Sequence, residues 1–202
     1  MGTRKVALIL LTLALSACTA PEPLSLAAAQ TILAQTWQAD QHSVWEVEWP
    51  AAPTGGPLTV ETWRAGSRYR FEVLEATAPD LVGQVLIFDG QTAWRYRRFD
   101  QPQASAQSEE ARLSPVTDAF AVISRLLVTA PETATQEALR LPSGPAQKLT
   151  FTYPNGDKLA LWRDESTGLP VRVAFTLDGQ SATLRARSFV PLPDPPEGLF
   201  KP

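Results

Sequence analysis

The period of the apolar positions changes along the chain, and each change predicts a different structural element. Between residues 26 and 39, apolar side chains recur every three or four positions, which predicts an amphipathic helix. Ser25 directly precedes this segment and offers the side-chain oxygen that a helix N-cap requires. The predicted apolar face of the helix consists of Leu26, Ala29, Leu33 and Trp37.

From Val44 onward the period falls to two, as a half-buried strand requires. Trp45, Val47 and Trp49 alternate there with two glutamates, so one face of this strand is aromatic and the other is acidic. Similar segments predict further strands at residues 58–64, 69–75, 85–88, 92–97, 149–153, 158–163, 171–177 and 181–190.

Three dipeptides separate consecutive predicted strands: Asp89-Gly90, Asn155-Gly156 and Asp178-Gly179. Such dipeptides between apolar runs favour tight hairpins. Because tight hairpins join antiparallel neighbours only, the strands are expected to form an antiparallel meander.

The middle of the chain interrupts the strands. Residues 101–112 are polar and predict a mobile loop. Ser114 and Pro115 then suit the cap and first position of a second helix. The capping-box spacing of Thr129–Glu132 predicts a third short helix that ends near Leu139. The apolar face of the second helix consists of Val116, Ala119, Phe120, Ile123 and Leu127.

These elements predict an α+β fold in which about nine antiparallel strands are covered by three helices. A sheet of this size twists, and it must cover its apolar face by curling, by a second sheet or by helices. A strongly curved sheet under helices encloses a concave apolar interior that suits an acyl chain. The alternative is a solid core filled by the protein's own side chains.

The first residues have the pattern of a bacterial export signal. Arg4 and Lys5 precede an apolar run from Val6 to Leu15, which is shorter than the roughly 20 residues of a membrane-spanning helix. The following sequence, Leu-Ser-Ala-Cys with its cysteine at Cys18, resembles a lipobox, in which the cysteine thiol is diacylated and becomes the new N-terminus. We therefore expect a lipid anchor on Cys18.

The predicted cleavage defines the mature chain. Removal of the signal peptide, residues 1–17, from 202 residues leaves 185: a lipidated tether at 18–24 and one domain at 25–202. The mature part has 16 Lys and Arg against 21 Asp and Glu, and this formal charge of −5 argues against nucleic acid as a partner. Cys18 is the only cysteine, which excludes an intramolecular disulfide. We expect a monomer, lipid-anchored on the extracytoplasmic face of a membrane in the cell envelope.

Segments of the predicted domain resemble the LolA-like lipoprotein carriers. Val85–Tyr96, with the sequence VLIFDGQTAWRY, resembles their hairpin with an Asp-Gly turn. Leu161–Arg172, with the sequence LWRDESTGLPVR, is similar to their strand, acidic turn and Leu-Pro strand restart, and residues 191–200 resemble their proline-rich ending. The wider superfamily includes LolB, RseB-like stress sensors, and the mycobacterial lipoproteins LppX and LprG.

The resemblance implies a half-open β-barrel of about 9–11 strands, with a helical lid over a cavity for lipid or lipoprotein acyl chains. LolA itself is soluble, whereas this chain has a lipobox. The resemblance therefore favours an anchored member that binds acyl chains and transfers them across the envelope. An RseB-like sensor that recognises a protein partner is the alternative, and an envelope scaffold with a filled core is a third interpretation.

Large aromatic residues on the predicted inward faces are the candidate cavity lining. Most inward aromatic residues contact other side chains, so ordinary core packing is the alternative for each of them. The candidate lining residues are Trp45, Trp49, Phe71, Trp94, Tyr96, Phe151 and Tyr153, and the lid candidates are Phe120, Ile123 and Leu127.

No motif predicts an enzyme, a metal site or a cofactor. The sequence lacks G-x-S-x-G, a phosphate-binding glycine loop and H-E-x-x-H. His42 is the only histidine, has no neighbouring cluster with metal-ligand spacing, and is expected at the surface. Arg95, Arg97 and Arg98 are expected on a solvated face, with binding of anionic headgroups as the alternative.

Overall fold

The computed structural model describes residues 20–49, 56–98, 100, 103–105 and 118–202. Within these ranges, twelve strands form one sheet, and two α-helices and a 3-10 helix at Pro79–Leu81 accompany it. The helices are α1 (Leu26–Gln38) and α2 (Asp118–Val128). The strands are β1 (Glu22–Pro23), β2 (Gln41–Glu48), β3 (Leu58–Ala65), β4 (Arg68–Ala76), β5 (Gln84–Phe88), β6 (Ala93–Arg97), β7 (Gln103–Ser105), β8 (Thr133–Leu141), β9 (Gly144–Thr152), β10 (Lys158–Asp164), β11 (Pro170–Leu177) and β12 (Gln180–Pro191).

All neighbouring strands are antiparallel, in the order β1-β8-β9-β10-β11-β12-β2-β3-β4-β5-β6-β7. The predicted antiparallel meander is therefore confirmed. The sheet is neither closed nor strongly curled, so the expectation of a strongly curved sheet is wrong. In the described residues its edge strands have two and three residues, and strands of this length offer few backbone groups with which to close a barrel.

The three predicted hairpins are confirmed. Asp89-Gly90 joins β5 to β6, Asn155-Gly156 joins β9 to β10, and Asp178-Gly179 joins β11 to β12. Asp178 has a φ of 50°, and the following Gly179 has a φ of 77°. Both angles fall in the left-handed region, where Gly costs little and Asp is tolerated better than most residues. These dipeptides therefore set the register of the strands that they join.

Two of the three predicted helices are present. The Oγ of Ser25 accepts a hydrogen bond from the Ala28 amide at 3.3 Å, which confirms the cap of α1. Helix α2 is also confirmed, although its predicted start at Ser114 and Pro115 lies outside the described residues.

The third predicted helix is wrong, because its residues form β8. The Glu132 amide donates to the Thr152 carbonyl at 2.7 Å, and all nine residues of β8 then pair with β9. These long-range backbone bonds override a local capping signal. The predicted loop over 101–112 is wrong at residues 103–105, which form β7 and pair with β6, and the rest of that segment lies outside the described residues.

The two faces of the sheet have different covers. The helices α1 and α2 cover the face that we call inner. Their buried side chains and those of the inner face form the main apolar cluster. On the opposite, outer face of β3–β6, a second cluster is closed by Phe200 from the C-terminal segment. The buried members of this second cluster are Ala65, Val85, Ile87 and Phe200.

Phe120 is expected to be a major contributor to the contact between α2 and the sheet. Its ring centroid lies 5.0 Å from that of Phe71 and 6.1 Å from that of Trp37. Phe120→Ala is expected to lower the free energy of unfolding by about 3–4 kcal/mol in urea titrations, because it removes these contacts and leaves a void. The control is Val190→Ala on β12, where the valine is 54% exposed. This substitution should change the free energy of unfolding by less than about 0.5 kcal/mol. Equal effects of the two variants would contradict this assignment.

Candidate functional site

Five of the predicted lining residues lie in the main cluster between the helices and the inner face. Trp45, Phe151 and Tyr153 are 1%, 0% and 2% exposed, and Trp49 and Phe71 are partly buried. A side chain that borders a void large enough for water has accessible surface. Because Trp45, Phe151 and Tyr153 have almost none, these side chains pack directly against other protein atoms. In this conformation almost no open space adjoins Trp45 and Phe151, whereas Tyr153 also lines a surface cleft that is described below. Their role as a cavity lining stays a prediction, and it requires that the helices separate from the sheet.

Trp94 and Tyr96 lie elsewhere, on the outer face. In the β5–β6 pair, Trp94 stands opposite Ile87 and Tyr96 opposite Val85, and both aromatic side chains pack against the second cluster. Their assignment to the same interior as Trp45 was wrong. The alternation along β6 places the two rings on one side, but the sequence does not predict that the C-terminal segment provides an apolar cover there.

Helix α2 carries the three lid candidates. Phe120 and Ile123 are 7% and 1% exposed and belong to the main cluster, and Leu127 is partly buried against it. A hydrogen bond also connects the last turn of this helix to the sheet, since the Tyr153 hydroxyl donates to the Leu126 carbonyl at 2.8 Å. The described contacts of these lid candidates are thus mainly apolar, with a polar link at the C-terminal end of α2.

The inner face becomes polar toward the start of β2. The Trp45 Nε1 donates to Ser43 Oγ at 2.8 Å, and Ser43 Oγ lies 2.7 Å from Thr62 Oγ1. Further along, Arg64 Nη1 donates to the Trp37 carbonyl at 3.2 Å. Burial lowers the pKa of Arg64, while the charge of Asp40 opposes this shift. The sequence analysis missed this buried polar row, because Ser and Thr fit either face of an alternating strand.

A surface cleft of about 490 Å³ lies at the C-terminal end of α2. The last turn of α2 forms one wall, and the β9–β10 and β11–β12 turns form the other. We call it the α2 cleft. Its lining residues are Arg125, Leu126, Thr129, Tyr153, Pro154, Asn155, Asp157, Leu177 and Asp178.

The turn wall of the α2 cleft is cross-linked through a buried carboxylate. Asp157 is 5% exposed and accepts from the Asn155 side-chain amide at 2.7 Å and from the Asp178 backbone amide at 3.2 Å. These bonds join the two hairpin turns into one rigid wall. The facing wall is the end of a helix, which the Tyr153 hydroxyl connects to the sheet.

His42 lies on the outer face rather than in a site. Its Nε2 is 2.7 Å from Glu61 Oε1, and its ring stacks on Trp63 with centroids 5.0 Å apart. The described part of the chain contains no group of three or more His, Cys, Asp or Glu that could hold a metal ion. Within the same ranges, every helix is too short or too polar to cross a bilayer. Cys18 lies outside the described residues, so its lipidation stays a prediction.

Solved structures share this architecture at low sequence identity. An uncharacterized conserved protein from Thermus thermophilus matches 89% of this chain and 94% of its own, with 17% identity and a TM-score of 0.57. MucB, in its complex with MucA from Pseudomonas aeruginosa, matches 89% of this chain with 18% identity and a TM-score of 0.52. The LolA superfamily protein NE2245 from Nitrosomonas europaea matches 86% of this chain and 97% of its own, with 16% identity and a TM-score of 0.40.

The chain shares the fold of the Thermus thermophilus protein and of MucB, which is an RseB-like protein. The resemblance noted in the sequence is thereby confirmed for the fold. No protein-family model and no curated protein matches the sequence, and all three structural matches are below 25% identity. The match spans 61% of the MucB chain, so MucB has a large part without a counterpart here. The similarities to the Thermus protein and to MucB establish the fold and leave the ligand to be argued from the site.

Tyr153 provides a spectroscopic test of the contact between α2 and the sheet. Burial raises its pKa to about 12, above the value of about 10 for an exposed tyrosine. The stability from the neutral phenol is therefore fully present below pH 10 and is lost as the pH rises toward 12. An ultraviolet titration should show one of the three tyrosines ionising near pH 12, and Tyr153→Phe should abolish that component. Ionisation of all three near pH 10 would contradict the described burial.

Proposed function

We propose that this protein is a non-enzymatic, membrane-anchored lipoprotein that binds the acyl chains of a lipid or lipoprotein between its helices and the inner face of its sheet. The observation that supports this function best is the layer of apolar side chains that separates α1 and α2 from the sheet. Burial of each methylene of a bound chain contributes about 0.8 kcal/mol, so such a surface needs no specific polar groups to bind a long chain.

Binding requires a conformational change, because the described interior is filled. Phe120 contacts Phe71 and Trp37 in the closed conformation. If α2 moves away from the sheet, an acyl chain replaces these contacts with others of the same apolar kind. The loss of internal packing is then offset by burial of the ligand, which shifts the population toward the open state.

The proposed anchor places the domain close to a membrane. Three residues lie between Cys18 and Glu22, which pairs with β8, and the four residue steps from Cys18 to Glu22 span at most about 14 Å when extended. A lipid on Cys18 would therefore hold the β1–β8 edge near the bilayer surface. This arrangement favours exchange of acyl chains with the membrane or with another lipid-bound protein.

Lipid binding can be measured on the mature chain with Cys18→Ala. Native mass spectrometry of the protein purified from cells, and titration with a fluorescent fatty acid, should show bound acyl chains. Leu127→Glu should weaken binding, because it places a charge among the lid candidates, whereas Val190→Glu on the outer face should have no effect. Circular dichroism spectra that match the wild-type spectrum serve as the check that both variants are folded. Absence of lipid in both assays would contradict the proposal.

A second candidate function is recognition of a protein partner. The filled interior and the similarity to MucB, whose structure is known in complex with MucA, favour it. Crosslinking in cells distinguishes the two functions. A stoichiometric protein partner, together with a lipid-free protein in the two binding assays, would support a sensor and exclude a carrier.

The anchor itself has an independent test. Cells that express the full chain and take up an alkyne-labelled palmitate should incorporate the label into the wild-type protein. Cys18→Ser should remove the label and release the protein from the membrane fraction, because Cys18 is the only cysteine. Equal labelling of the two proteins would contradict lipidation at this position.

A further inference from the structure

The α2 cleft is where solvent approaches the main apolar cluster at the end of α2. Leu126 and Tyr153 belong both to the cleft and to that cluster, and they are 4% and 2% exposed. Leu177 lines the cleft and packs against the same cluster. The floor of the cleft is thus continuous with the apolar layer beneath the helices, and its volume of about 490 Å³ falls in the usual range of ligand sites.

The two walls of the cleft differ in how firmly they are held. The turn wall is cross-linked by the buried Asp157, as described above. The helix wall is the last turn of α2, whose backbone is linked to the sheet by the Tyr153 hydroxyl. Val128, beside this wall, is 82% exposed and offers an apolar surface next to the mouth of the cleft. We expect the helix wall, rather than the cross-linked turn wall, to move when a ligand enters.

The rim of the cleft carries one charge of each sign besides the buried Asp157. The exposed Arg125 forms no ion pair in the described part of the chain, and the carboxylate of Asp178 has no partner there either. A guanidinium recognises phosphate oxygens well, and a carboxylate attracts an ammonium group. A zwitterionic phosphate-ammonium headgroup has both charges, whereas a fatty acid has only the negative one.

We infer that the α2 cleft is the entrance to the acyl-binding space, and that it takes a single-chain amphiphile with a zwitterionic headgroup, held between Arg125 and Asp178. This inference rests on the proposed function. The acyl chain enters past Leu126 and Leu177 toward the main cluster. The phosphate faces Arg125 at the end of α2, and the ammonium faces Asp178 in the β11–β12 turn.

Two ligands and two rim variants test the headgroup assignment on the mature chain with Cys18→Ala. Arg125→Gln should weaken the binding of both lysophosphatidylcholine and palmitate about two- to fivefold, the range expected for an exposed ion pair. Asp178→Asn should weaken the binding of lysophosphatidylcholine by a similar factor and should not weaken the binding of palmitate. Asn also accepts the left-handed backbone of position 178, so the turn is retained.

Matched controls and a rate measurement complete the test. Arg140→Gln and Asp194→Asn change exposed residues of the same types away from the cleft and should leave both affinities unchanged. In stopped-flow mixing with pyrene-labelled lysophosphatidylcholine, Tyr153→Phe should accelerate uptake, because it removes the link to the last turn of α2.

The outcomes separate this inference from the proposed function. If the wild-type protein binds both ligands and the rim variants behave like their controls, the assignment of the α2 cleft as the entrance is wrong. The proposed acyl binding is then unaffected. An unchanged uptake rate in Tyr153→Phe would likewise place the entrance elsewhere. If the wild-type protein binds neither ligand, both the entrance and the acyl-binding function are wrong.

Discussion

The pairing of β12 with β2 is the contact on which the rest of the structure depends. It joins residues as far as 150 positions apart in the sequence, as Pro191 and Gln41 are, and it connects the β8–β12 meander to the β2–β7 meander. Leu184 of β12 lies opposite Val47 of β2, and both side chains enter the main cluster. Without this pair the strands would form two separate sheets. Neither inner face would then be wide enough for both helices to pack on it. The entropy of closing so long a loop must be offset by the apolar burial that the joined face permits.

Local signals in the sequence predicted most of the elements but not the way in which they are assembled. The Asp-Gly and Asn-Gly dipeptides and the Ser25 cap act within a few residues, and their predictions were confirmed. The segment after Thr129 has a local helical signal, yet it becomes β8, because nine backbone pairs with β9 outweigh a capping preference. The openness of the sheet also depends on edge strands of two and three residues, and a periodicity argument does not detect strands so short.

The candidate site shows the same division between local and long-range information. The alternation along β2 placed Trp45 correctly in the main cluster, and helical spacing placed Phe120 and Ile123 against it. Trp94 and Tyr96 have equally clear alternation but lie on the outer face, since the covering residue, Phe200, is more than a hundred positions away. The α2 cleft could not be predicted at all, because a helix end meets two turns there that are distant in the sequence and are joined by the buried carboxylate of Asp157.

The second cluster has a consequence for handling the protein. Phe200 is 4% exposed, and the guanidinium of Arg68 lies 4.9 Å from its ring centroid. Loss of Phe200 would uncover Val85 and Ile87 and create an exposed apolar patch on the outer face. Phe200 thus covers the apolar side chains of the second cluster. A purification tag placed after Pro202 should be joined through a linker, so that the Phe200 ring stays packed in the second cluster.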